Sequence, residues 1–431
     1  MAATSNQERP ELKRSIGVIA ATGSGLAVII GAGVYVLMGE AAAKSGNAIW
    51  ASFLLAAGAA FFTALSYAEL SAKFPRAASG YNYAREAFGD GAAFVVGWLT
   101  FFSQVVSVAT VALGFAGYLR DQAGFPVLAG GLSLLAASTL FSLRGVKEST
   151  TVGAALSMLE VLGLAVIIGV GVSFLGNVDY LESPEGAWGI FGGAFLLFFA
   201  FLGFEQVADL AGEIKNPGRN LPIAVMASGG IAAVLYIITA LASVSIIGWK
   251  ELSESEAPLA AVAQEAMGEG GYYALSVIAL IATASTVLIS LTATVRTVYG
   301  MAKGGSLPMV LAKVHRKYAT PWAATLAVAA VATLGVLSQD VGFVAEITNF
   351  TILLVFIGVN LSHIVLRRRL DSQEWPFRVG LKALGVPVTP VLGVVVSALL
   401  LVNVRLAPAL WGLGIMGIGI GVAVWQARKK G

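Results

Sequence analysis

Gly23-Ser-Gly-Leu-Ala-Val-Ile-Ile-Gly31-Ala32-Gly33-Val34-Tyr35 runs through the middle of the first long apolar stretch of the chain. The stretch is apolar enough for a membrane helix, yet glycines flank Ala32 near its centre, where they leave the backbone free to unwind. The sixth apolar stretch repeats the feature. It reads Phe198-Phe199-Ala200-Phe201-Leu202-Gly203-Phe204-Glu205, again a small, flexible centre, here with an acid beside it. For any one of these glycines, close packing against a neighbouring helix is the alternative reading. Taken together, interrupted helices at corresponding places in two halves point to inverted repeats with a site at the bilayer midplane. The amino terminus of a half-helix offers N–H groups to a carboxylate, and opposing carbonyls receive an ammonium group. That pairing suits an α-amino acid.

Working outward, the composition is that of a chain in lipid: 57% hydrophobic and only 12% charged residues. Long, nearly uncharged stretches cover about 16–38, 47–72, 91–119, 126–143, 151–175, 188–211, 221–248, 270–298, 321–338, 341–366, 385–404 and 407–426. Stretches of this kind span a hydrocarbon core of about 30 Å. The expected fold is therefore an all-α integral membrane protein of about twelve transmembrane helices, with helices 1 and 6 broken. The first stretch is too long and too continuous for a cleaved signal. With the amino terminus placed inside, the outer loops hold only Lys44, Arg120, Lys250 and Arg405, and the rest of the 27 Lys and Arg face the cytoplasm. Both termini are thus expected on the cytoplasmic side of the cell membrane, and basic runs such as Arg367-Arg368-Arg369 are topology anchors.

Several function classes drop out. There is no cysteine, so disulfides, thiol catalysis and cysteine metal sites are excluded. The two histidines, His315 and His363, fall near cytoplasmic ends, where a solvated or capping role is expected and a metal site is not. No Gly-x4-Gly-Lys-Ser/Thr sequence cradles a phosphate, and the longest connections (73–90, 249–269, 299–320 and 367–384) are too short for a soluble catalytic unit. Glu69, Glu160, Glu205 and Asp209 come without a histidine pair or nucleophile, which argues against an intramembrane enzyme. No cofactor and no nucleic acid is expected. Gly417 and Gly421 on the last helix suit packing against a neighbour, so the chain is expected as a monomer or homodimer.

Four segments make the chain resemble the amino acid–polyamine–organocation superfamily of permeases. They are Ile30-Gly-Ala-Gly33, then Phe74 through Gly89, then Phe199-Ala-Phe-Leu-Gly-Phe-Glu205 running into Glu213 through Pro222, and Arg296 through Pro308 followed by Lys313 through Pro321. The resemblance implies the LeuT-like fold, two inverted five-helix repeats (about 16–175 and 188–366) after a tail over 1–15, with two more helices and a tail in 367–431. It implies alternating access, with Ile30, Gly31, Ala32 and Gly33 meeting the substrate through main-chain atoms. It implies that Phe199, Ala200, Phe201 and Gly203 form the opposite wall, with the Phe199–Phe201 carbonyls taking the amino group and the Phe199 ring resembling the family's gate. Ser103, Gln104 and Ser107 stand on the third helix, where relatives place selectivity. No acid lies within that helix, so neutral or broad-range amino acids are expected, with cationic amino acids or polyamines as the alternative.

Coupling is expected at Glu160. An acid at mid-membrane costs on the order of 2.5–3.5 kcal/mol to insert, so it must be protonated, partnered or functional. Relatives that use protons often place a lysine near this position, and the chain departs from that pattern. A carboxylate could carry a proton, with Glu205 as a second candidate acid, or join Ser285 and Thr286 around sodium. The proton is the expected coupling ion.

Overall fold

The computed structural model describes residues 14–74, 79–145, 150–209, 211, 213–370, 375–380, 382–383 and 386–430. Helices dominate because a backbone in hydrocarbon must satisfy its own N–H and C=O groups, and the runs of Ala, Leu, Val, Ile and Phe do so helically. The order is α1 (Val18–Ile29), α2 (Gly33–Ser45), α3 (Ile49–Lys73), α4 (Ser79–Phe88), α5 (Asp90–Ala123), α6 (Val127–Arg144), α7 (Thr150–Gly171) and α8 (Gly186–Leu197). There follow α9 (Phe204–Asp209), α10 (Pro217–Glu254), α11 (Pro258–Met267), α12 (Glu269–Lys303), α13 (Trp322–Val336), α14 (Val341–Arg369), α15 (Val388–Leu401) and α16 (Leu406–Lys430). Among the described residues, β-pairing is limited to a two-residue antiparallel pair, Lys382–Ala383 with Val386–Pro387, and an isolated parallel bridge between Ile16 and Ile214.

Each apolar stretch expected from the sequence is helical over most of its length. Among the described residues, nine segments are long and apolar enough to cross a membrane. One of them, the 41 residues Gly33–Lys73, holds both α2 and α3 and turns at the short helical turn Gly46–Ala48. At about 1.5 Å per residue that segment is twice as long as a hydrocarbon core is thick. Three further apolar helices are shorter: α1, α13 and α15. With 12 residues, α1 reaches only about 18 Å and is half a crossing that α2 completes.

The two ends of the bundle are closed by different chemistry. At the end where α2 stops, Asn47 donates to Glu182 (2.8 Å), and the Trp249 indole donates to the same carboxylate (2.9 Å). Buried Glu346 on α14 collects Lys44 (3.3 Å) and Arg405 (2.8 Å), two of the four cations assigned to the outer loops. At the opposite end the chain entering α1 pairs with the segment after α9. Ser15 and Ile16 N–H both donate to Glu213 O, and Lys215 N–H donates to Ile16 O. That pairing places the Glu213–Pro222 motif beside the start of the first broken helix. Another of the quoted motifs, Phe74–Gly89, includes residues 75–78, which lie outside the described residues, as does the expected tail apart from Arg14 and Ser15.

His363 corrects an expectation. It is fully buried, not solvated, with Nε2 3.2 Å from Glu69 Oε1 and Nδ1 3.1 Å from Ser66 Oγ. Arg367 also pairs with Glu69, whose other oxygen accepts from Val379 N–H (2.9 Å). A basic residue in the last turn of α14 thus neutralises an acid inside the bundle and does more than anchor topology. His315 behaves as expected: it is exposed, and its Nδ1 accepts from the N–H groups of Lys317 and Tyr318. On α16, Gly412 and Gly419 are the glycines that pack, against Phe350 and Trp98, whereas Gly417 and Gly421 face away from the chain's other helices.

Candidate functional site

Both expected breaks are present. α1 ends at Ile29, and Ile30 (φ −79°, ψ 80°) leaves helical geometry before α2 begins at Gly33. The Ile29 carbonyl, released by the break, accepts from Gly31 N–H (2.9 Å) and from the Tyr236 hydroxyl of α10 (2.8 Å). The first N–H groups of α2 have no partner within their own helix, and the positive end of its dipole faces the break. α8 ends at Leu197 and tightens into a 3-10 turn, Phe198–Phe201. The chain then extends at Leu202 (ψ 142°) and passes Gly203 at φ +120°, a conformation glycine alone adopts easily, before α9 starts. Glu205 reaches back to accept from Gly203 N–H at 2.9 Å, so this acid caps the short α9.

The breaks lie against each other. A Cβ placed on Gly33 would stand 2.9 Å from Ala200 Cα and 3.3 Å from the Phe199 ring. One placed on Gly203 would stand 2.6 Å from Val28 Cγ1, at the end of α1, and one on Gly31 would meet Thr286 Oγ1 of α12 at 3.4 Å. Two breaks distant in sequence, together with α12, therefore form one junction, in which Ile30, Ala32, Phe199, Ala200 and Phe201 are buried. Phe199 shares an apolar cluster with Ala32, with Phe101 and Val105 of α5, and with Val287 of α12. Phe201 turns the other way, onto Tyr236 (ring centroids 5.4 Å apart) and Phe53 (6.4 Å). Of the two rings, only that of Phe199 is in the cluster with Ala32.

Glu160 sits beside the first break. It is 4% exposed. The Tyr35 hydroxyl of α2 donates to the Glu160 main-chain oxygen at 2.6 Å, and Ser157 Oγ donates to Ala27 O of α1 at 3.4 Å, so α7 is stitched to both halves of the broken helix. The expected sodium oxygens diverge: Thr286 Oγ1 faces Gly31, whereas Ser285 Oγ donates to Ala282 O of its own helix (2.9 Å). Among the described residues no group of three or more His, Cys, Asp or Glu is arranged to hold a metal.

Two residues at the junction escaped the sequence reading. Tyr236 is indistinguishable from any aromatic residue of a membrane helix until its partner, Ile29 O, is known. Asn349 gave more signal, because Glu346-Ile-Thr-Asn349-Phe-Thr351 is unusually polar for the interior of a membrane helix. Its Nδ2 donates to the carbonyls of Phe195 (2.6 Å) and Leu196 (3.1 Å), in the last turn of α8. Ser103 on α5 comes to the same place, its hydroxyl 3.5 Å from Thr348 O.

A family model described as amino acid permease matches residues 16–420. The chain belongs to the amino acid permease family. This permease is 28% identical to the branched-chain amino acid permease BcaP of Bacillus subtilis over 100% of its own length and 96% of that protein's. It is 30% identical to the methylthioribose transporter of the same organism, over 88% of this chain and 86% of that one. It is also 30% identical to the vacuolar cationic amino acid transporter 2 of Arabidopsis thaliana, over 83% of this chain and 60% of that one. The permease is thus a multi-pass membrane transporter and not an enzyme.

Proposed function

We propose that this permease is a secondary active transporter that carries neutral or a broad range of amino acids across the cytoplasmic membrane by alternating access, in symport with protons. The observation that carries the reading is the junction of the two breaks, with Gly33 seated on Phe199 and Ala200. The amides that open α2 take the substrate carboxylate, carbonyls of the second break take the ammonium, and the Phe199 ring closes over the solute. Glu160, buried against the tyrosines that hold the first break, carries the proton; Glu205 serves chiefly as the cap of α9. The inverted-repeat arrangement over 16–175 and 188–366, twelve crossings and cytoplasmic termini complete the reading, supported by the paired breaks and by the Lys and Arg distribution. The membrane-embedded chain acts as a monomer or homodimer.

Cationic amino acids are the second reading, favoured by the Arabidopsis relative's name and opposed by α5, whose acids, Asp90 and Asp121, stand at its ends only. Sodium in place of the proton would draw on Thr286. The deciding experiment is flux of radiolabelled leucine and lysine into proteoliposomes under an imposed pH gradient, with and without sodium. Saturable, counterflow-competent uptake of leucine driven by the pH gradient alone is the expected result. Uptake that requires sodium and ignores the pH gradient would reverse the choice of ion, and uptake of lysine alone would reverse the choice of substrate.

A further inference from the structure

Several of the main-chain acceptors at the junction are already engaged. Both lone pairs of Ile29 O are engaged, by Gly31 N–H and Tyr236. Phe195 O and Leu196 O are held by Asn349, and Phe199 O accepts from Leu202 N–H at 3.2 Å. An ammonium group brings three N–H donors that all need acceptors once water is stripped away. A side-chain acceptor beside the remaining carbonyls of the second break would complete that shell.

Asn349 has the missing acceptor. The residue is fully buried in α14, and its Oδ1 has no hydrogen-bond partner. The amide cannot be turned the other way, since Oδ1 would then face two carbonyl oxygens. Neighbouring hydroxyls of α14 do not compete for it: Thr348 donates to Val344 O (3.1 Å), and Thr351 donates to Ile347 O and Thr348 O (2.9 Å each). α14 touches both α2, which opens at the first break, and the 3-10 turn Phe198–Phe201 of the second, and its Val344 and Ala345, one turn earlier, belong to the apolar cluster that holds Ala32 and Phe199. A buried acceptor left without a donor is costly, and a group that donates to it recovers that cost on binding.

We propose that Asn349 Oδ1 accepts a hydrogen bond from the α-ammonium group of the substrate, while its Nδ2 holds the end of α8. The assignment rests on the amino acid reading of the junction and adds a side-chain determinant to it. A neutral amide recognises N–H donors without demanding a second positive charge, so it selects α-amino acids over the corresponding carboxylic acids whatever the substrate side chain.

The test compares leucine with 4-methylpentanoate, and lysine with 6-aminohexanoate, pairs that differ only in the α-amino group. Dissociation constants are read from ligand-induced thermal shifts of the purified full chain. In wild type the amino acid of at least one pair binds more tightly than its partner acid. In Asn349→Ala that preference should narrow by about tenfold, mostly through weaker amino acid binding. In Asn349→Asp, which puts a carboxylate beside the ammonium, it should widen, and this variant decides the matter alone if Asn349→Ala does not fold. Equal weakening of both members of a pair in Asn349→Ala, or an unmoved preference in Asn349→Asp, would reduce Asn349 to a structural prop for α8 and overturn the assignment alone. A wild type that binds neither leucine nor lysine would overturn the amino acid reading and this assignment with it.

Discussion

At position 33 a hydrogen atom is the largest side chain the junction admits, because any Cβ would stand 2.9 Å from the Ala200 main chain, which cannot swing aside as a flexible side chain would. Gly33→Val should therefore weaken amino acid binding by at least a hundredfold, roughly the loss of two good contacts, while the protein still inserts and purifies as a single species. Binding measured by thermal shift decides it; an unchanged dissociation constant would mean that the glycine serves helix packing alone. Gly203→Ala acts through the backbone. At φ +120° an alanine is strained by about 1–3 kcal/mol, and its methyl would also meet Val28, so the melting temperature should fall by several degrees. These glycines were legible in the sequence, since glycine at the centre of an apolar run has no local purpose. Tyr236 and Asn349 were not, because what marks them is the carbonyl each one reaches on another helix.

Elements that move against each other need joints, and elements that do not are fastened by groups costly to separate. The seam between α3 and α14 is of the second kind. It runs through Thr63, Asn360, Ser66, His363 and Glu69, all buried, with Asn360 Nδ2 3.0 Å from Thr63 Oγ1 and Ser66 Oγ 2.6 Å from Asn360 Oδ1. Removing one charge of a buried pair leaves the other uncompensated, at a cost of about 3–5 kcal/mol. Glu69→Gln should accordingly destabilise the purified protein far more than an exposed substitution, and the double variant Glu69→Gln/Arg367→Gln should recover much of the loss. Thermal unfolding of the four species of the cycle measures it; a double variant no more stable than Glu69→Gln would show that the pair contributes through packing and not charge. The positions of α3 and α14 were legible from hydropathy, whereas the seam was not. Hydropathy assigns His363 and Arg367 to a helix end, and only the inward docking of Trp375–Gly380, which brings Val379 N–H to Glu69, shows that this end is enclosed.

For the whole molecule, the question is whether a proton bound at Glu160 suffices to concentrate a nutrient. One positive charge carried inward with a zwitterion gains about 2.3 kcal/mol per 100 mV, and at about 1.4 kcal/mol per tenfold that sustains a gradient of roughly fifty-fold. The proposed role fits the place of Glu160 on α7, which holds both halves of the first broken helix, through Ser157 bonded to Ala27 O of α1 and through the Glu160 main-chain oxygen bonded to Tyr35 of α2. A carboxylate is a stronger acceptor than a carbonyl, so under this proposal losing the proton would give Glu160 a claim on the Tyr35 hydroxyl that now bonds its main-chain oxygen, and the proton would bias which arrangement of α1 and α2 is stable. Glu160→Gln keeps the shape and the neutral state and removes the titration. In proteoliposomes with an inside-negative potential and a pH gradient, wild type should accumulate leucine several tens of times over the outside concentration. The Gln variant should fall to equilibration while retaining counterflow of leucine against leucine, since exchange needs no net proton movement. Accumulation by Glu160→Gln equal to wild type would move the coupling site elsewhere, and loss of counterflow along with accumulation would make Glu160 a structural requirement of the break and not its proton site.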